Sequence, residues 1–297
     1  MARTGEAESM FDHDRVVTNG IELHVATAGP VDGPPVVLLH GFPEFWQGMA
    51  GIGARLADQG FRVMIPDQRG YNLSDKPDGV GAYRLDRLAA DITGLLDAYG
   101  IERASVIGHD WGAVVTWYLA AEHPDRLDAA VIANVPHPMV MARYLRTHPS
   151  QLRKSWYMFA FQMPFMPERP FSSDAGRARM AKGIAHTANP GSMDADYQAA
   201  LAEAWSQPGA PTGMINWYRA LLRHRPPFTR GGRVRIPTLI LWGEKDRFLE
   251  ASMAGLSAAR CDNAELIEYP RATHWVFHDE PDATTEAIVD FLGRTAD

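Results

Sequence analysis

The sequence has only one cysteine and no long apolar run, and these two features limit the classes of protein to which it can belong. One cysteine, Cys261, in 297 residues excludes a disulfide framework within the chain, and we expect it to be a passive packing or surface residue. No apolar stretch approaches the length needed to cross a bilayer. Residues 1–15 are polar and charged, without the apolar core of a signal peptide. We therefore expect a soluble, cytoplasmic protein.

Runs of Lys and Arg are also missing, and the formal net charge is -7. Both features argue against nucleic acid and against an anionic membrane surface as partners. In contrast, 46% of the residues are hydrophobic and 8 are Trp, which is ample for a large buried core. The length fits one large domain or a core that carries an insertion.

Short apolar runs alternate with helical spacings over the first half of the chain. Residues 15–28 alternate around Asn19-Gly20, which predicts a hairpin after a loose tail at 1–14. Helical spacing over 85–99 ends at Gly100. The runs that predict buried strands are 36–39, 61–66, 104–107 and 129–135. This alternation predicts a mostly parallel sheet in a doubly wound α/β fold.

The pattern changes after Pro136. Residues 137–232 carry no obvious buried strand, are rich in Met, Trp and Tyr, and are broken by prolines that include Pro226-Pro227. Strand patterns resume at 238–242 and 264–269, and an amphipathic helix at 282–292 follows. We therefore predict a core formed by residues 1–136 and 233–297, with residues 137–232 inserted as a helical cap.

The sequence Gly-His-Asp-Trp-Gly at 108–112 joins a predicted strand directly to a predicted helix. That context is typical of the G-x-Ser-x-G nucleophile elbow, with Asp110 in the place of serine. Gly108 and Gly112 leave room for a sharp turn. The helix N-terminus favours an anion, so Asp110 should be ionised. An ordinary helix N-cap is the alternative for Asp110 taken alone, so its interpretation depends on its partners.

Two further polar residues follow strand ends, where ligands of such sheets bind. Asp246 follows the strand at 238–242, and His274 follows the strand at 264–269. With Asp110, they give the chain order nucleophile, acid, histidine of the α/β-hydrolase triad. Taken alone, Asp246 could cap a helix and His274 could be an ordinary loop histidine. Asn134 also follows a strand end, but an amide cannot carry the charge of the acid. We expect His109 to point away from Asp110 and to pack.

Four motifs resemble those of the α/β-hydrolase fold epoxide hydrolases. They are His40-Gly41-Phe42-Pro43-Glu44, Gly108-His109-Asp110-Trp111-Gly112, Gly243-Glu244-Lys245-Asp246 and His274-Trp275. The likeness covers nearly the whole chain, and the insertion is similar to the cap of that family. Segments 156–162 and 216–219 resemble those that bear the family's two cap tyrosines, here Tyr157 and Tyr218. Ordinary packing is the alternative for both.

The resemblance implies a two-step reaction. Asp110 would displace oxygen at a saturated carbon and form an alkyl ester on its own side chain. Water activated by His274 would then hydrolyse this ester, with Asp246 orienting the imidazole. Backbone N–H groups of Phe42 and Trp111 would stabilise the oxyanion. The resemblance also implies a cis bond between Phe42 and Pro43.

A tyrosine hydroxyl is protonated at neutral pH and can donate to an epoxide oxygen, which is the role implied for Tyr157 and Tyr218. The expected product is a vicinal diol, and the expected partners are a small apolar epoxide and water. Neither a metal nor an organic cofactor is needed, and the protein would be a monomer or a homodimer. An apolar pocket is suggested by a series of cap residues: Met158, Phe159, Phe161, Met163, Phe165 and Met166. Packing is the alternative, since it would use the same residues.

Two alternatives remain at the level of the sequence. One is a haloalkane or haloacetate dehalogenase that uses the same aspartate. Haloalkane dehalogenases usually carry Asn at the position of Phe42, and haloacetate dehalogenases usually carry Arg at the positions of Trp111 and Val114. The other is a non-catalytic receptor that holds a small ligand under the cap, against which the full set of Asp110, His274 and Asp246 argues.

Overall fold

An eight-stranded sheet forms the centre of the molecule. The computed structural model describes residues 10–224 and 228–295. The strand order is β1-β2-β4-β3-β5-β6-β7-β8; the pairs β1–β2 and β2–β4 are antiparallel and the others parallel. The strands are β1 (Asp12–Thr18), β2 (Ile21–Ala28), β3 (Pro35–Leu39), β4 (Arg62–Pro66), β5 (Ala104–His109), β6 (Leu127–Ala133), β7 (Thr238–Gly243) and β8 (Ala264–Tyr269). The predicted fold class is confirmed.

The predicted hairpin is present, and it begins earlier than expected. Asn19 and Gly20 both have positive φ, at 47° and 77°, as a two-residue hairpin turn requires. Residues 12–14, predicted to be tail, belong to β1, and Asp12 pairs with Thr27. Phe11, also predicted to be tail, is buried, and its ring centroid lies 5.6 Å from that of Trp46, whereas Met10 is exposed. Residues 1–9 lie outside the described part of the chain.

Helices follow most strands and cover the sheet. Helix α1 packs against α11 and α12, and α2 packs against α3. Strands β3 to β7 are almost wholly buried, which explains their unbroken apolar sequences. The core helices are α1 (Gln47–Asp58), α2 (Leu85–Ala98), α3 (Trp111–Glu122), α10 (Ser252–Ala258), α11 (Val276–Asp279) and α12 (Pro281–Thr295).

Six further helices connect β6 to β7 within the described residues. Pro138 and Pro149 begin α4 and α5, as proline does where a helix starts. The helices are α4 (Pro138–Thr147), α5 (Pro149–Lys154), α6 (Trp156–Ala160), α7 (Asp174–Ala185), α8 (Ala195–Ala204) and α9 (Ala210–Arg223). We call residues 137–232 the cap, and these exact boundaries remain a prediction. The predicted break at Pro226-Pro227 lies outside the described residues.

Two sequence expectations concern single features of the fold. Cys261 is buried and unpaired, and its thiol lies 3.8 Å from the carbonyl oxygen of Ser257, so it is a packing residue as expected. None of the helices in residues 10–224 and 228–295 combines the length and apolar character needed to cross a membrane.

Candidate active site

Asp110 occupies the sharp turn between β5 and α3. Its φ and ψ are 48° and -119°, a strained conformation for a residue with a side chain. Glycines make this turn possible because there is no space for a β-carbon beside it. A methyl group at Gly41 would overlap the side chain of Asp110, and one at Gly112 would overlap the carbonyl oxygen of Leu39. The turn therefore holds the carboxylate at the carboxyl edge of the sheet.

Two groups hold the Asp110 carboxylate. The backbone N–H of Phe42 donates to Oδ1 at 2.7 Å, and Nε2 of His274 lies 3.4 Å from Oδ2. The Phe42–Pro43 bond is cis, as the resemblance implied. Burial opposes ionisation of Asp110, but the hydrogen bond and charge of His274 outweigh it and lower the pKa of the carboxyl. Asp110 is thus an anion with one oxygen directed at a backbone donor.

Asp246 orients His274 from the side opposite Asp110. Nδ1 of His274 lies 2.7 Å from Oδ2 of Asp246. The other oxygen, Oδ1, accepts from the N–H groups of Phe248 at 2.7 Å and Leu249 at 2.9 Å. The side-chain amide of Asn134, which also follows a strand end, donates to Oδ2 of Asp246 at 3.0 Å and so helps to hold this carboxylate. The structure therefore brings the three predicted triad residues together.

His274 is buried between two carboxylates. Burial alone would lower the pKa of its imidazole, but the charges and hydrogen bonds of Asp246 and Asp110 raise the pKa to about 10. The free protein consequently holds an imidazolium between two anions at neutral pH. Any reaction that neutralises Asp110 removes one of the two causes that keep the proton on His274.

Tyr218 on α9 and Tyr157 on α6 both face the cavity above Asp110. Their ring centroids are 5.9 Å apart, and that of Tyr218 lies 5.0 Å from that of Trp111. Burial raises the pKa of both phenols, and the charge of Asp110 raises each further. Both hydroxyls are therefore protonated at neutral pH. Trp111 is the first residue of α3, and the assignment of its N–H to the oxyanion hole remains a prediction.

A cavity of about 580 Å³ lies between the cap and the sheet edge. Its walls are mainly apolar, with three basic side chains and the site residues. The lining residues are Phe42, Pro43, Asp110, Arg153, Lys154, Trp156, Tyr157, Phe161, Met180, Ile184, Tyr218, Arg247, Phe248, His274 and Trp275. A volume of this size holds a small organic molecule.

The prediction that the Met- and Phe-rich segment lines the pocket is wrong for most of its members. Of the six residues, only Phe161 faces the cavity, while Met158 is buried in the packing of the cap. The other four, which are Phe159, Met163, Phe165 and Met166, are exposed. The composition of the segment indicated apolar contacts but could not show whether each side chain turns inward or outward.

A buried polar cluster that the sequence did not predict lies beside the site. Oε1 of Glu44 accepts from the Tyr197 hydroxyl at 2.5 Å and from Nε2 of His278 at 2.7 Å. His109 contacts Oε2 at 3.2 Å and, through Nε2, the carbonyl oxygen of His274 at 2.8 Å. Burial opposes ionisation of Glu44, yet His278 and His109 hold the pKa of this carboxyl well below its usual range. His109 therefore bonds the backbone of His274, beyond the packing role expected; the acidic end of the His-Gly-Phe-Pro-Glu motif was the available signal.

Comparison with known proteins identifies a family and several similar proteins. The profile of the alpha/beta hydrolase fold family matches residues 34–281. The AB hydrolase superfamily protein YfhM of Bacillus subtilis is 43% identical, over 93% of this chain and 96% of its own length. Epoxide hydrolase 4 of Homo sapiens is 36% identical, over 94% of this chain and 77% of its own.

Solved structures give a similar result. An epoxide hydrolase from Bacillus megaterium, crystallised in complex with an inhibitor, superimposes with a TM-score of 0.83 at 27% sequence identity. The match covers 94% of this chain and 100% of that chain, so it includes both the sheet and the inserted helices.

Proposed function

This chain belongs to the α/β-hydrolase fold family and, within it, to the epoxide hydrolases, and from that membership we propose that it opens epoxides to vicinal diols through an ester on Asp110. The observation that supports the proposal best is the arrangement over a single cavity. An ionised carboxylate, an imidazole held by a second carboxylate, and two protonated phenols all meet there. This set supplies a nucleophile, a base and acids without any further group.

In the first step, a carboxylate oxygen of Asp110 attacks a ring carbon of the epoxide, and the bond between that carbon and the epoxide oxygen breaks. The departing oxygen takes a proton from Tyr218 or Tyr157. The donor is needed because an alkoxide is far too basic to leave unprotonated. The Asp110 carboxylate is suited to this displacement because it is ionised, whereas the imidazolium of His274 has no free lone pair with which to attack carbon.

Formation of the ester changes the proton affinity of His274. The ester has no negative charge, so the hydrogen bond and charge of Asp110 no longer raise the pKa of the imidazole. The proton of His274 can then return to the tyrosinate that protonated the epoxide oxygen. His274 is left neutral, with Asp246 still holding Nδ1, and is ready to accept a proton from water.

In the second step, water loses a proton to His274 and attacks the carbonyl carbon of the ester. The tetrahedral oxyanion is stabilised by the N–H of Phe42, which in the free protein already lies 2.7 Å from Oδ1 of Asp110. Collapse expels the diol oxygen, which takes the remaining carboxyl proton. The Asp110 carboxylate and the His274 imidazolium are thereby restored, and the sum is one epoxide and one water for one diol.

The test is a single turnover of styrene oxide by excess enzyme in heavy-oxygen water, followed by peptide mass analysis. We expect label in the peptide that contains Asp110 and none in the diol, because the diol oxygen comes from the carboxylate in the first cycle. Label in the diol alone would exclude the ester. Release of halide from fluoroacetate or a bromoalkane, with no diol from styrene oxide, would favour the dehalogenase alternative.

The variant His274→Gln separates the two steps. It should still form the ester, visible as a mass increase equal to styrene oxide, while hydrolysis of the ester slows by about a hundredfold to ten-thousandfold. His186→Gln, at an exposed cap residue, is the matched control and should not accumulate the ester. Absence of any adduct in His274→Gln, with diol formation retained, would contradict the assigned role.

A further inference from the structure

The cap exposes a series of large apolar side chains that the reaction does not use. Trp156 is 67% exposed and Phe165 is 81% exposed. Four of the residues recur at spacings of four, three and four along α5, α6 and the following turn, as on one face of a helix. We call the series the apolar ridge; it consists of Leu152, Trp156, Phe159, Met163, Phe165 and Met166. Soluble monomers rarely expose so many large apolar side chains together, so the ridge indicates a contact surface.

Phe165 shows that one of these side chains is held outward at a conformational cost. Its φ is 61°, in the left-handed region that bulky residues seldom adopt. It does not line the cavity above Asp110, and more than three quarters of its surface is open to solvent. Neither core packing nor the proposed chemistry accounts for an aromatic residue in this position.

The charge of the cap differs in sign from that of the rest of the chain. Residues 137–232 contain twelve Lys and Arg against five Asp and Glu, a net charge of +7, whereas the remaining residues carry -14. No acidic residue occurs between Asp128 and Glu168, a stretch that holds Arg143, Arg146, Arg153 and Lys154. The net charge of -7 is the sum of a positive cap and a negative remainder. It therefore does not exclude an anionic partner that contacts the cap alone.

One residue of the apolar ridge also lines the active-site cavity. Trp156 belongs to the ridge and lines the cavity, together with its neighbours Arg153 and Lys154. If the proposed function holds, the substrate is a small apolar epoxide, which partitions from water into lipid. A surface that lies against lipid at this point would place the cavity next to the dissolved substrate.

We propose that the apolar ridge docks on the surface of an anionic lipid bilayer. Trp and Phe side chains prefer the boundary between head groups and acyl chains, and basic side chains are attracted by anionic head groups. A second copy of the chain fits less well, because two ridges in contact would bring two caps of charge +7 together. The ridge lies on the surface of the bilayer, so no spanning helix is needed.

The experiment is co-sedimentation of the protein with vesicles, in the absence of any epoxide. The vesicles are made of phosphatidylcholine alone or of phosphatidylcholine mixed with phosphatidylglycerol. We expect binding to the anionic vesicles, weaker binding to the neutral ones, and loss of binding as ionic strength rises from about 0.05 to about 0.5 M. Phe159→Ser combined with Phe165→Asn should weaken binding at least about tenfold, since neither residue lines the cavity and both belong to the ridge.

Val31→Ser is the matched control, because Val31 is 77% exposed on the core and should not contact the bilayer. Phe165→Asn alone provides a second variant, since Asn tolerates a positive φ better than Phe and the site is exposed. No binding to anionic vesicles, or equal binding by the ridge variants, would overturn the proposal. So would sedimentation velocity that shows a wild-type dimer and a monomeric ridge variant without vesicle binding.

The proposed function and the proposed docking surface are tested by independent measurements. Turnover of styrene oxide is measured in solution without vesicles, and vesicle binding is measured without styrene oxide. Vesicle binding without epoxide turnover would remove the substrate argument and leave the docking surface, whereas turnover without vesicle binding would leave the reaction and remove the docking surface.

Discussion

At the scale of single residues, the imidazolium of His274 determines how stability should depend on pH. Its pKa is raised to about 10 by Asp246 and Asp110 against the effect of burial. In the unfolded chain, the pKa of a histidine is about 6.5. The folded state therefore binds this proton more tightly, and its contribution to stability is complete below the unfolded pKa and is lost as pH rises through the folded pKa.

We predict that the free energy of unfolding of the wild type falls, relative to His274→Gln, between pH 6.5 and about 10. The slope should approach about 1.4 kcal/mol per pH unit at most, the value for one proton. Urea unfolding of both proteins across this range measures the difference, in which groups common to both cancel. A difference that is independent of pH would show that His274 is neutral in the folded protein.

The two cap phenols should share the task of protonating the epoxide oxygen. Because both tyrosines line the cavity, we predict that Tyr218→Phe alone lowers kcat/KM for styrene oxide about tenfold. The double variant with Tyr157→Phe should lose about a hundredfold to ten-thousandfold. Tyr144→Phe is the control, because the Tyr144 hydroxyl bonds Ser252 and does not line the cavity. An unimpaired double variant would require another acid.

Residue patterns predicted that Asp110, Asp246 and His274 lie together, because strand-end positions converge at one edge of a parallel sheet. They did not reveal Asn134 as the donor to Asp246, since its contact depends on where the loop after β7 returns. The contacts of Glu44 with Tyr197 and His278 were likewise hidden, because 153 and 234 residues separate the partners in the chain. Convergence of distant segments is a tertiary property.

At the scale of elements, the nucleophile elbow depends on backbone crossings that leave no room for a side chain. We predict that Gly112→Ala destabilises the protein by about 3 kcal/mol or more, because the added methyl group would overlap the carbonyl oxygen of Leu39. Gly183→Ala is the matched control: nothing lies within 4 Å of a methyl group there, and Gly183 is inside α7. It should gain about 0.5–1 kcal/mol.

Thermal and urea unfolding of the two glycine variants provide the measurement. Equal stability of Gly112→Ala and the wild type would mean that β3 and α3 can separate without loss, which their close contact argues against. Destabilisation by Gly183→Ala would contradict the exposed, unobstructed position of that residue.

Strands were easier to predict than the orientation of the cap helices. A central strand buried on both faces has to be apolar throughout, so 36–39 and 104–107 were visible as runs, and only their ends differed by up to two residues. The strand predicted at 129–135 begins and ends two residues earlier, at Leu127–Ala133. In contrast, the outward direction of Phe159 and Phe165 depends on how α6 and the turn that follows it are oriented, which composition does not reveal.

At the scale of the whole molecule, buried hydrogen bonds join the cap to the core. The indole N–H of Trp205 donates to the carbonyl oxygen of Pro43 at 2.6 Å, and that of Trp217 donates to the carbonyl oxygen of Arg69 at 2.9 Å. Both indoles are buried. The first bond ends on Pro43, next to Phe42, whose N–H donates to Asp110. One carbonyl group therefore links the cap to the segment that holds the Asp110 carboxylate.

We predict from these bonds that the cap and the core unfold in one cooperative transition. Tryptophan fluorescence and far-ultraviolet circular dichroism should give coincident urea curves, because separating the cap would leave buried polar groups without partners.

Trp205→Phe removes one donor and leaves the carbonyl oxygen of Pro43 unsatisfied, so it should lower the free energy of unfolding by about 1–3 kcal/mol without splitting the transition. Leu256→Ser is the control: Leu256 is exposed on α10, outside the cap, so its replacement should change stability little. Two separate transitions in the wild type would show that the cap is an independent unit, and the geometry of the tyrosines over Asp110 would then be set by the cap alone.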